Sequence, residues 1–199
     1  MTETRSDRKN SAIVAAATRV FLEHGYAGTS MDEVARTAAV SKQTVYKHFA
    51  DKKTLFERVM RATSEPMHAA LRSAASEAGT DLHAYGTALV TQVLAPDVVR
   101  LRRMIAAEAS RFPELAAAWH AQGPDKTIDE LADRLAATPG LHCPDPHEAA
   151  SQLMWLLIAD PLLRSMFVAM DPLSPTEVRS RVDTALTTFQ AAYGRPELT

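Results

Sequence analysis

The sequence has few of the residues that build special sites. Its 199 residues include one cysteine, Cys143, and only seven glycines. A single cysteine excludes a disulfide within the chain and a zinc site built from several cysteines of one chain. The chain also lacks a phosphate-cradling glycine loop, a Gly-x-Ser-x-Gly elbow and a His-Glu-x-x-His pair. We therefore expect no catalytic residue, no metal site and no cofactor.

Long apolar runs and a signal-like start are absent as well. No stretch of eighteen or more apolar residues occurs, and the first residues are polar and charged. The apolar fraction of 46% is normal for a soluble globular chain. We therefore expect a cytoplasmic protein that has no membrane partner.

Charge is unevenly divided along the chain. Residues 1–60 hold ten Lys or Arg against seven Asp or Glu, a balance of +3, and the remaining residues hold twelve against seventeen, a balance of −5. Four lysines, Lys42, Lys47, Lys52 and Lys53, cluster near the end of the positive part. This clustering, more than the small net balance, indicates a surface that meets a polyanion.

Residues 41–49 are predicted to form a short amphipathic helix. Ser41 can cap its start, and Val45 and Phe49, one helical turn apart, form an apolar stripe that docks the helix on its own domain. The remaining positions carry donors, cations and one aromatic hydroxyl: Lys42, Gln43, Thr44, Tyr46, Lys47 and His48. Such a face suits nucleic acid.

A second short helix is predicted just before this one. Ser30 and Glu33 have the spacing of a capping box, in which Glu33 also reaches back to the start of the helix, and the helix runs to about Ala39. Ala35 is small enough for close helix approach, and Val40 fills the corner of the turn. Two short helices joined by a tight turn predict a helix-turn-helix.

These residues resemble the DNA-binding domain of the TetR family of transcriptional regulators. The resemblance covers about a quarter of the chain, from Asn10 to Met60, and its spacing is more specific than that of a generic helix-turn-helix. It is carried by residues 16–26, 29–35 and 40–55. One departure is Gln43, where the family very often has glycine or another small residue.

The resemblance implies DNA-contacting roles for six residues, and the chemistry of Lys47 adds a seventh. Lys42 and Gln43 stand at the exposed start of the recognition helix, where lysine can bind guanine and glutamine can bind adenine. Phosphate contacts are expected from Thr44, Tyr46, His48 and Lys52, and Lys47 suits either role. A polar arm is predicted over about Met1–Asp7, and Arg5 within it and Arg8 and Lys9 just after it can also reach DNA or remain solvated.

The rest of the chain is predicted to be helical, with Pro and Gly as punctuation. A first helix runs over Ser11–His24 and ends at Gly25, and Asp51 caps a fourth helix that links the DNA end to the remainder. We expect an all-α fold without strands. It would consist of an N-terminal three-helix helix-turn-helix domain, residues 1–54, and a larger helical domain for ligand binding and dimerisation, residues 55–199.

The last two predicted helices carry surplus apolar surface. The first, over His147–Met170, is apolar around much of its circumference, and Pro161 should kink it or break it locally. The second runs over Pro175–Tyr193. Two adjacent terminal helices of this kind predict a homodimer through a four-helix interface, which is also where TetR-like proteins dimerise.

The resemblance also implies a small-molecule pocket in the C-terminal domain, for which the sequence offers candidates and little discrimination. Large apolar and polar residues could line it: Met104, Arg111, Phe112, Trp119, His120, Met154, Trp155 and Asp160, with Gln152, Arg164 and Met166 as further options. For each of them, core packing or solvation is the commoner role. The compact segment from His142 to His147 has metal-ligand chemistry, but its two prolines favour a loop that enters a helix.

The sequence thus predicts a TetR-like regulator that binds a pseudo-palindromic DNA operator as a homodimer. We expect a repressor that a small-molecule effector releases from the operator. An activator, or a regulator without an effector, remains an alternative within DNA binding. A helical ligand- or metal-sensing protein that does not bind DNA is the alternative from another class.

Overall fold

The structure, a computed structural model, describes residues 5–76 and 79–195. Within these ranges the all-α fold class is confirmed, and ten helices follow in the order α1 (Arg5–Gly28), α2 (Met31–Thr37), α3 (Lys42–His48), α4 (Lys52–Ser73), α5 (Leu82–Val93), α6 (Pro96–Glu108), α7 (Pro113–His120), α8 (Lys126–Ala137), α9 (Pro146–Phe167) and α10 (Pro175–Tyr193). The expectation of no strand is wrong in one place. Strands β1 (Ala75–Ser76) and β2 (Gly79–Thr80) pair antiparallel, and two residues each are too few to produce an alternating sequence pattern.

The helices form two compact units. Unit 1 comprises Met1–Ser64 and Arg100–Trp119, and unit 2 comprises Glu65–Val99 and His120–Thr199. The sequence predicts a single domain boundary, between residues 54 and 55. Leu101, Ile105 and Leu115, however, belong to the same buried cluster as the helix-turn-helix residues. A division into contiguous domains therefore does not describe how the core residues group.

The core of unit 1 begins with the apolar stripe of α1. Ile13, Ala17, Val20 and Phe21, the residues expected to face inward, are all buried. The backbone leaves the helical region at Gly25, with φ 71° and ψ 174°, so the predicted end of the first helix coincides with a break inside α1. A residue with a side chain is strained at this positive φ, which explains why glycine stands here.

The start of α1 differs from the prediction. The helix begins at Arg5 and not at Ser11, so the arm expected over Met1–Asp7 is helical from its fifth residue onward. The first four residues of that predicted arm lie outside the described residues. Arg8 and Lys9 are exposed on the first turns of α1, and neither ends up in a flexible tail.

Unit 2 contains the larger apolar cluster, and side-chain caps begin its main helices. Asp81 accepts from the backbone N–H of Ala84 at the start of α5, and Ser174 and Glu177 form a reciprocal capping box at the start of α10. Asp145, in the segment considered as a metal cluster, accepts from the N–H groups of His147 and Glu148 and so caps α9. That segment has the helix-entry role favoured by its prolines.

The helices continue through two segments that contain proline. At Gly123-Pro124 the chain forms a π-helical turn, Ala121–Asp125, that runs directly into α8. Pro161 lies inside one continuous helix, α9, so of the two predicted outcomes, a kink or a local break, the break does not occur. A proline removes one backbone donor, and a helix held on both sides by core packing can tolerate that loss. Among the described residues, no helix combines the length and apolar character needed to cross a bilayer.

Candidate nucleic-acid interface

The capping box predicted at the start of α2, the first helix of the motif, is only half formed. The hydroxyl of Ser30 accepts from the backbone N–H of Glu33 at 3.2 Å. The Glu33 carboxylate does not complete the predicted capping box. It lies 3.2 Å from His24 Nε2 and 3.3 Å from the Arg36 guanidinium, and these side chains compete with the helix start for its oxygens.

The turn between α2 and α3 is tight because one alanine adopts a left-handed conformation. Ala39 has a φ of 53°, and the N–H of Val40 donates to the carbonyl of Ala35 at 3.1 Å. Ala35 is 4% exposed, in agreement with its predicted role at the close approach of the two helices. A left-handed alanine costs about 1 kcal/mol, so surrounding contacts must hold this turn.

The recognition helix α3 is fixed by its cap and by its apolar stripe. The Ser41 hydroxyl accepts from the backbone N–H of Thr44 at 3.1 Å, and the Ser41 and Thr44 hydroxyls are 2.8 Å apart. Val45 is 0% and Phe49 4% exposed, so the predicted docking stripe is confirmed. One face of α3 is therefore buried against the core of unit 1.

The other face of α3 brings six of the seven predicted DNA-contacting residues together. Lys42, Gln43, Tyr46 and Lys47 are exposed, and Thr44 and His48 are half-buried. Tyr46 is 45% exposed, which is unusual for so large a ring and leaves its hydroxyl accessible. No carboxylate occurs within Lys42–His48, so the face presents donors and positive charge to an incoming surface.

Lys42, which is predicted to contact bases, has an acidic neighbour that the sequence pattern does not reveal. Lys42 Nζ lies 2.7 Å from Oδ1 and 3.0 Å from Oδ2 of Asp32, which belongs to α2. The same ammonium is 5.9 Å from the centre of the Tyr46 ring. The hydrogen bond that Lys42 donates to the Asp32 carboxylate raises the pKa of Lys42. Asp32 therefore orients Lys42 while cancelling part of the positive charge of this face.

Lys52, the seventh predicted contact, has a different environment. Its Nζ donates to the carbonyl oxygens of Tyr26, Ala27 and Thr29, at 2.8, 3.3 and 3.0 Å. It also lies 4.7 Å from the centre of the Tyr26 ring. An ammonium has three N–H donors, and these three acceptors account for all of them. Burial lowers the pKa of Lys52, and the Glu108 carboxylate partly offsets this effect.

A second charged side chain, Glu108, also binds the backbone at the end of α1. The Glu108 carboxylate accepts from the backbone N–H of Ala27 at 3.1 Å. A Cβ atom on Gly25 would lie only 3.1 Å from the same carboxylate oxygen. The backbone of Ala27 is thus bound through its carbonyl by Lys52 and through its N–H by Glu108. Unit 1 fixes the end of α1 with one cation and one anion.

The predicted pocket residues are divided between the two units. Met104, Arg111, Phe112 and Trp119 belong to unit 1, and the other four, His120, Met154, Trp155 and Asp160, belong to unit 2. The Phe112 ring packs on Tyr26 at a centroid distance of 4.9 Å, as part of the core of unit 1. Trp155 and Asp160 lie on the exposed face of α9, and His120 pairs with Asp125 at 2.8 Å.

Similarity to known families covers both parts of the chain. Residues 13–59 match the tetR family of bacterial regulatory proteins, and residues 80–195 match the C-terminal domain of AefR-like transcriptional repressors. The second match alone spans more than half of the chain.

Individual relatives agree with these matches. A solved TetR-family regulator from Mesorhizobium loti is 36% identical with a TM-score of 0.84, over 97% of this chain and 100% of that one. The flavonoid-responsive regulator FrrA is 31% identical with a TM-score of 0.75, over 94% and 97% of the two chains. The HTH-type transcriptional repressor Rv3405c of Mycobacterium tuberculosis is 32% identical over 181 residues, which are 88% of this chain and 86% of that protein.

Two other curated regulators match only over 68 and 61 residues, and the matched part covers 31% of each of them. The longer matches extend through both units. With a helix-turn-helix at its N-terminal end and these relatives along its length, the chain belongs to the TetR family of transcriptional regulators.

Proposed function

We propose that this protein binds duplex DNA by placing α3 in the major groove. Lys42 and Gln43 contact base edges, Thr44, Tyr46 and His48 contact phosphates, and Lys47 serves either role. The observation that carries this proposal is the exposed face of α3, whose own residues, Lys42–His48, include no carboxylate. We propose a structural role for Lys52 in place of the phosphate contact, because its donors are occupied by backbone carbonyls.

We further propose that two copies pair through α9 and α10. α9 exposes an apolar stripe at helical spacing, with Trp155 at 49%, Leu163 at 63% and Phe167 at 81% exposure. The outward face of α10 carries small residues, and the hydroxyls of Thr184 and Thr188 donate to carbonyls of their own helix. Such a face lets a second helix approach closely. The dimer then presents two copies of α3 to half-sites about one helical turn apart.

The function that these features support best is a cytoplasmic repressor that a small molecule releases from its operator. Repression by steric exclusion of polymerase follows if the operator overlaps a promoter. The names of two relatives, a repressor and a flavonoid-responsive regulator, support this assignment. An effector can release DNA only by binding more tightly to the DNA-incompetent state than to the DNA-competent state.

The test is to select fragments from a random duplex library with the purified full-length protein and to measure affinity for the enriched sequence at several salt concentrations. We expect a two-fold symmetric site and a steep fall in affinity with salt, because each phosphate contact releases counterions. No selective duplex binding would contradict the proposal and favour a helical sensor that does not bind DNA. A reporter gene controlled by the selected site distinguishes a repressor from an activator. Deleting the gene of this protein raises reporter expression if the protein is a repressor and lowers it if the protein is an activator.

Replacing Gln43 with alanine is expected to relax the preference at one base position of each half-site. The lost amide pair corresponds to about 1–3 kcal/mol of discrimination against the wrong base. Lys47→Ala serves as the comparison, and if Lys47 binds phosphate it should weaken binding to all duplexes and reduce the salt slope by about one per half-site. Affinities for the selected site and its single-base variants measure both effects. Equal loss on every sequence for Gln43→Ala would show that Gln43 reads no base.

Replacing Asp32 with asparagine is expected to strengthen binding to non-specific duplex by roughly 3–10-fold and to steepen the salt slope. The change removes a negative charge beside the phosphates and frees the Lys42 ammonium, now held at 2.7 Å. Glu23→Gln is the control, because it removes one exposed carboxylate from α1 of the same unit. Unchanged non-specific affinity in the Asp32 variant would mean that the ammonium of Lys42 does not approach DNA.

A further inference from the structure

A group of buried polar atoms without partners lies inside unit 2. Among the described residues, five buried side-chain nitrogen or oxygen atoms have no hydrogen-bond partner, and four of them belong to His68, Tyr85 and Glu130. His68 is 3% exposed and Tyr85 is 1% exposed. The three residues come from α4, α5 and α8. Each supplies a polar atom to an otherwise apolar interior.

Contacts with α8 relate these three residues. His68 Nδ1 lies 3.7 Å from Glu130 Oε2, which is near but beyond hydrogen-bond distance. The Arg134 guanidinium lies 5.7 Å from the centre of the Tyr85 ring. Burial raises the pKa of Tyr85, and the charge of Glu130 raises it further. Glu130 and Arg134 are one turn apart on α8, so His68 and Tyr85 each lie near one residue of the same helix face.

Leaving these atoms unpaired carries a stability cost. Nearly all buried polar groups in native proteins have partners, because desolvation without a hydrogen bond is unfavourable. The surrounding cluster is apolar and includes Met67, Leu71 and Leu131. Glu130 is less isolated, because its side chain is 27% exposed and its Oε1 lies 3.7 Å from Lys126 Nζ. A chain that keeps both ring nitrogens of His68 and the Tyr85 hydroxyl unpaired in such a core gives up stability, and such losses are characteristic of functional sites.

The unpaired atoms define the chemistry of a complementary ligand. Burial raises the pKa of Tyr85, so its hydroxyl stays protonated and can donate at neutral pH. The His68 ring offers at least one N–H donor, whereas the Glu130 carboxylate can only accept. A ligand hydroxyl both donates and accepts, so it can satisfy both kinds of atom. A ligand carboxylate would be repelled by Glu130, and an ammonium would leave the Tyr85 donor unpaired.

We propose that His68, Tyr85 and Glu130 form the polar end of the effector site in unit 2, and that the effector is an apolar molecule carrying a hydroxyl group. This inference rests on the proposed release by a small molecule and names the ligand class and its anchors. The apolar body of the ligand takes the place of core contacts around Leu71 and Leu131, and its hydroxyl binds the three polar residues.

The first test measures thermal stability without any ligand. Tyr85→Phe removes a hydroxyl that has no partner, so its Tm is expected to stay unchanged or rise by about 1–3 °C. Tyr193→Phe is the matched control, because the Tyr193 hydroxyl donates to Gln152 Oε1 at 2.8 Å in the same unit. Both variants are compared at one protein concentration. A Tm that falls by more than about 2 °C for Tyr85→Phe would show that the fold itself uses this hydroxyl, and would overturn the proposal.

The second test titrates the full-length protein with two probes, 2-naphthol and 2-methoxynaphthalene, by calorimetry. We expect 2-naphthol to bind at least 10-fold more tightly, and we expect Tyr85→Phe and Glu130→Gln to remove this preference while Tyr193→Phe keeps it. Equal affinity for the two probes, or no binding of either, would overturn the ligand class. Duplex binding measured on the same samples tests the DNA-binding function separately. If the protein binds duplex DNA but neither probe, the inference about the effector is contradicted and the DNA-binding function is not. If it binds 2-naphthol but no duplex, only the DNA-binding function is contradicted.

Discussion

Leu163→Glu is expected to convert the proposed dimer into a monomer and to weaken binding to a duplex with two half-sites by about 10²–10⁴-fold. Leu163 is 63% exposed in the apolar stripe of α9, four residues before Phe167. Burying such a side chain stabilises an interface by roughly 1.5–3 kcal/mol, and a glutamate there would instead be desolvated at high cost. Because each α3 binds only one half-site, losing the dimer removes the gain from simultaneous binding.

The control for this variant is Ala136→Glu, which adds the same charge at an exposed position of α8 in the same unit. Sedimentation equilibrium measures the oligomeric state, and band shifts compare a two-half-site duplex with a single half-site. We expect Leu163→Glu to lose affinity only for the longer duplex and Ala136→Glu to behave like the unaltered protein. A Leu163→Glu protein that stays dimeric would place the interface elsewhere.

The parts of the fold that were predicted correctly depend on local patterns. The stripe of α1 and the docking residues Val45 and Phe49 are buried as expected, because helical periodicity alone decides which side chains share a face. Ser41 and Asp51 cap their helices because a short side-chain oxygen reaches the N–H three residues ahead. These relations span one or two helical turns, and the printed sequence contains them in full.

The interactions that the sequence did not reveal join distant residues. Lys52 binds carbonyls 23 to 26 residues earlier in the chain, and Glu108 binds the N–H of Ala27, 81 residues away. No periodicity relates such positions. The sequence pattern therefore places Lys52 on the basic surface, where its neighbour Lys53 is exposed. Local charge cannot distinguish a lysine that faces solvent from one that turns inward.

The proposed effector site shows the same limit of sequence-based prediction in unit 2. The sequence offers pocket candidates only by the size and polarity of their side chains, and two of them, Trp155 and Asp160, lie on the exposed face of α9. In contrast, His68 and Tyr85 look in sequence like ordinary polar residues of amphipathic helices. Their significance lies in the missing hydrogen-bond partners, which only the packed structure reveals. Unpaired buried atoms therefore gave a more specific hypothesis than residue type.

Lys52→Met is expected to lower the free energy of unfolding of unit 1 by about 2–3 kcal/mol, because three backbone carbonyls lose a charged donor. Methionine keeps the length and apolar stem of lysine, so the variant removes the ammonium with little change in packing. Lys53→Met is the matched control. It removes one positive charge from the next, exposed position and should change stability by less than about 0.5 kcal/mol. Urea unfolding and hydrogen exchange of the α2 and α3 amides measure the difference.

The same two variants separate a structural role of Lys52 from the phosphate contact that the sequence predicted. If the ammonium serves only the segment from Tyr26 to Thr29, the folded Lys52→Met protein should keep the salt slope of DNA binding unchanged. A phosphate contact would instead reduce that slope by about one per half-site while stability changed little. Because stability and salt slope are measured independently, the two roles predict opposite pairs of results. A Lys52→Met protein of unchanged stability but with a reduced salt slope of DNA binding would therefore indicate that Lys52 contacts phosphate. It would contradict the proposed structural role, in which Lys52 binds the backbone carbonyls of α1 and Thr29.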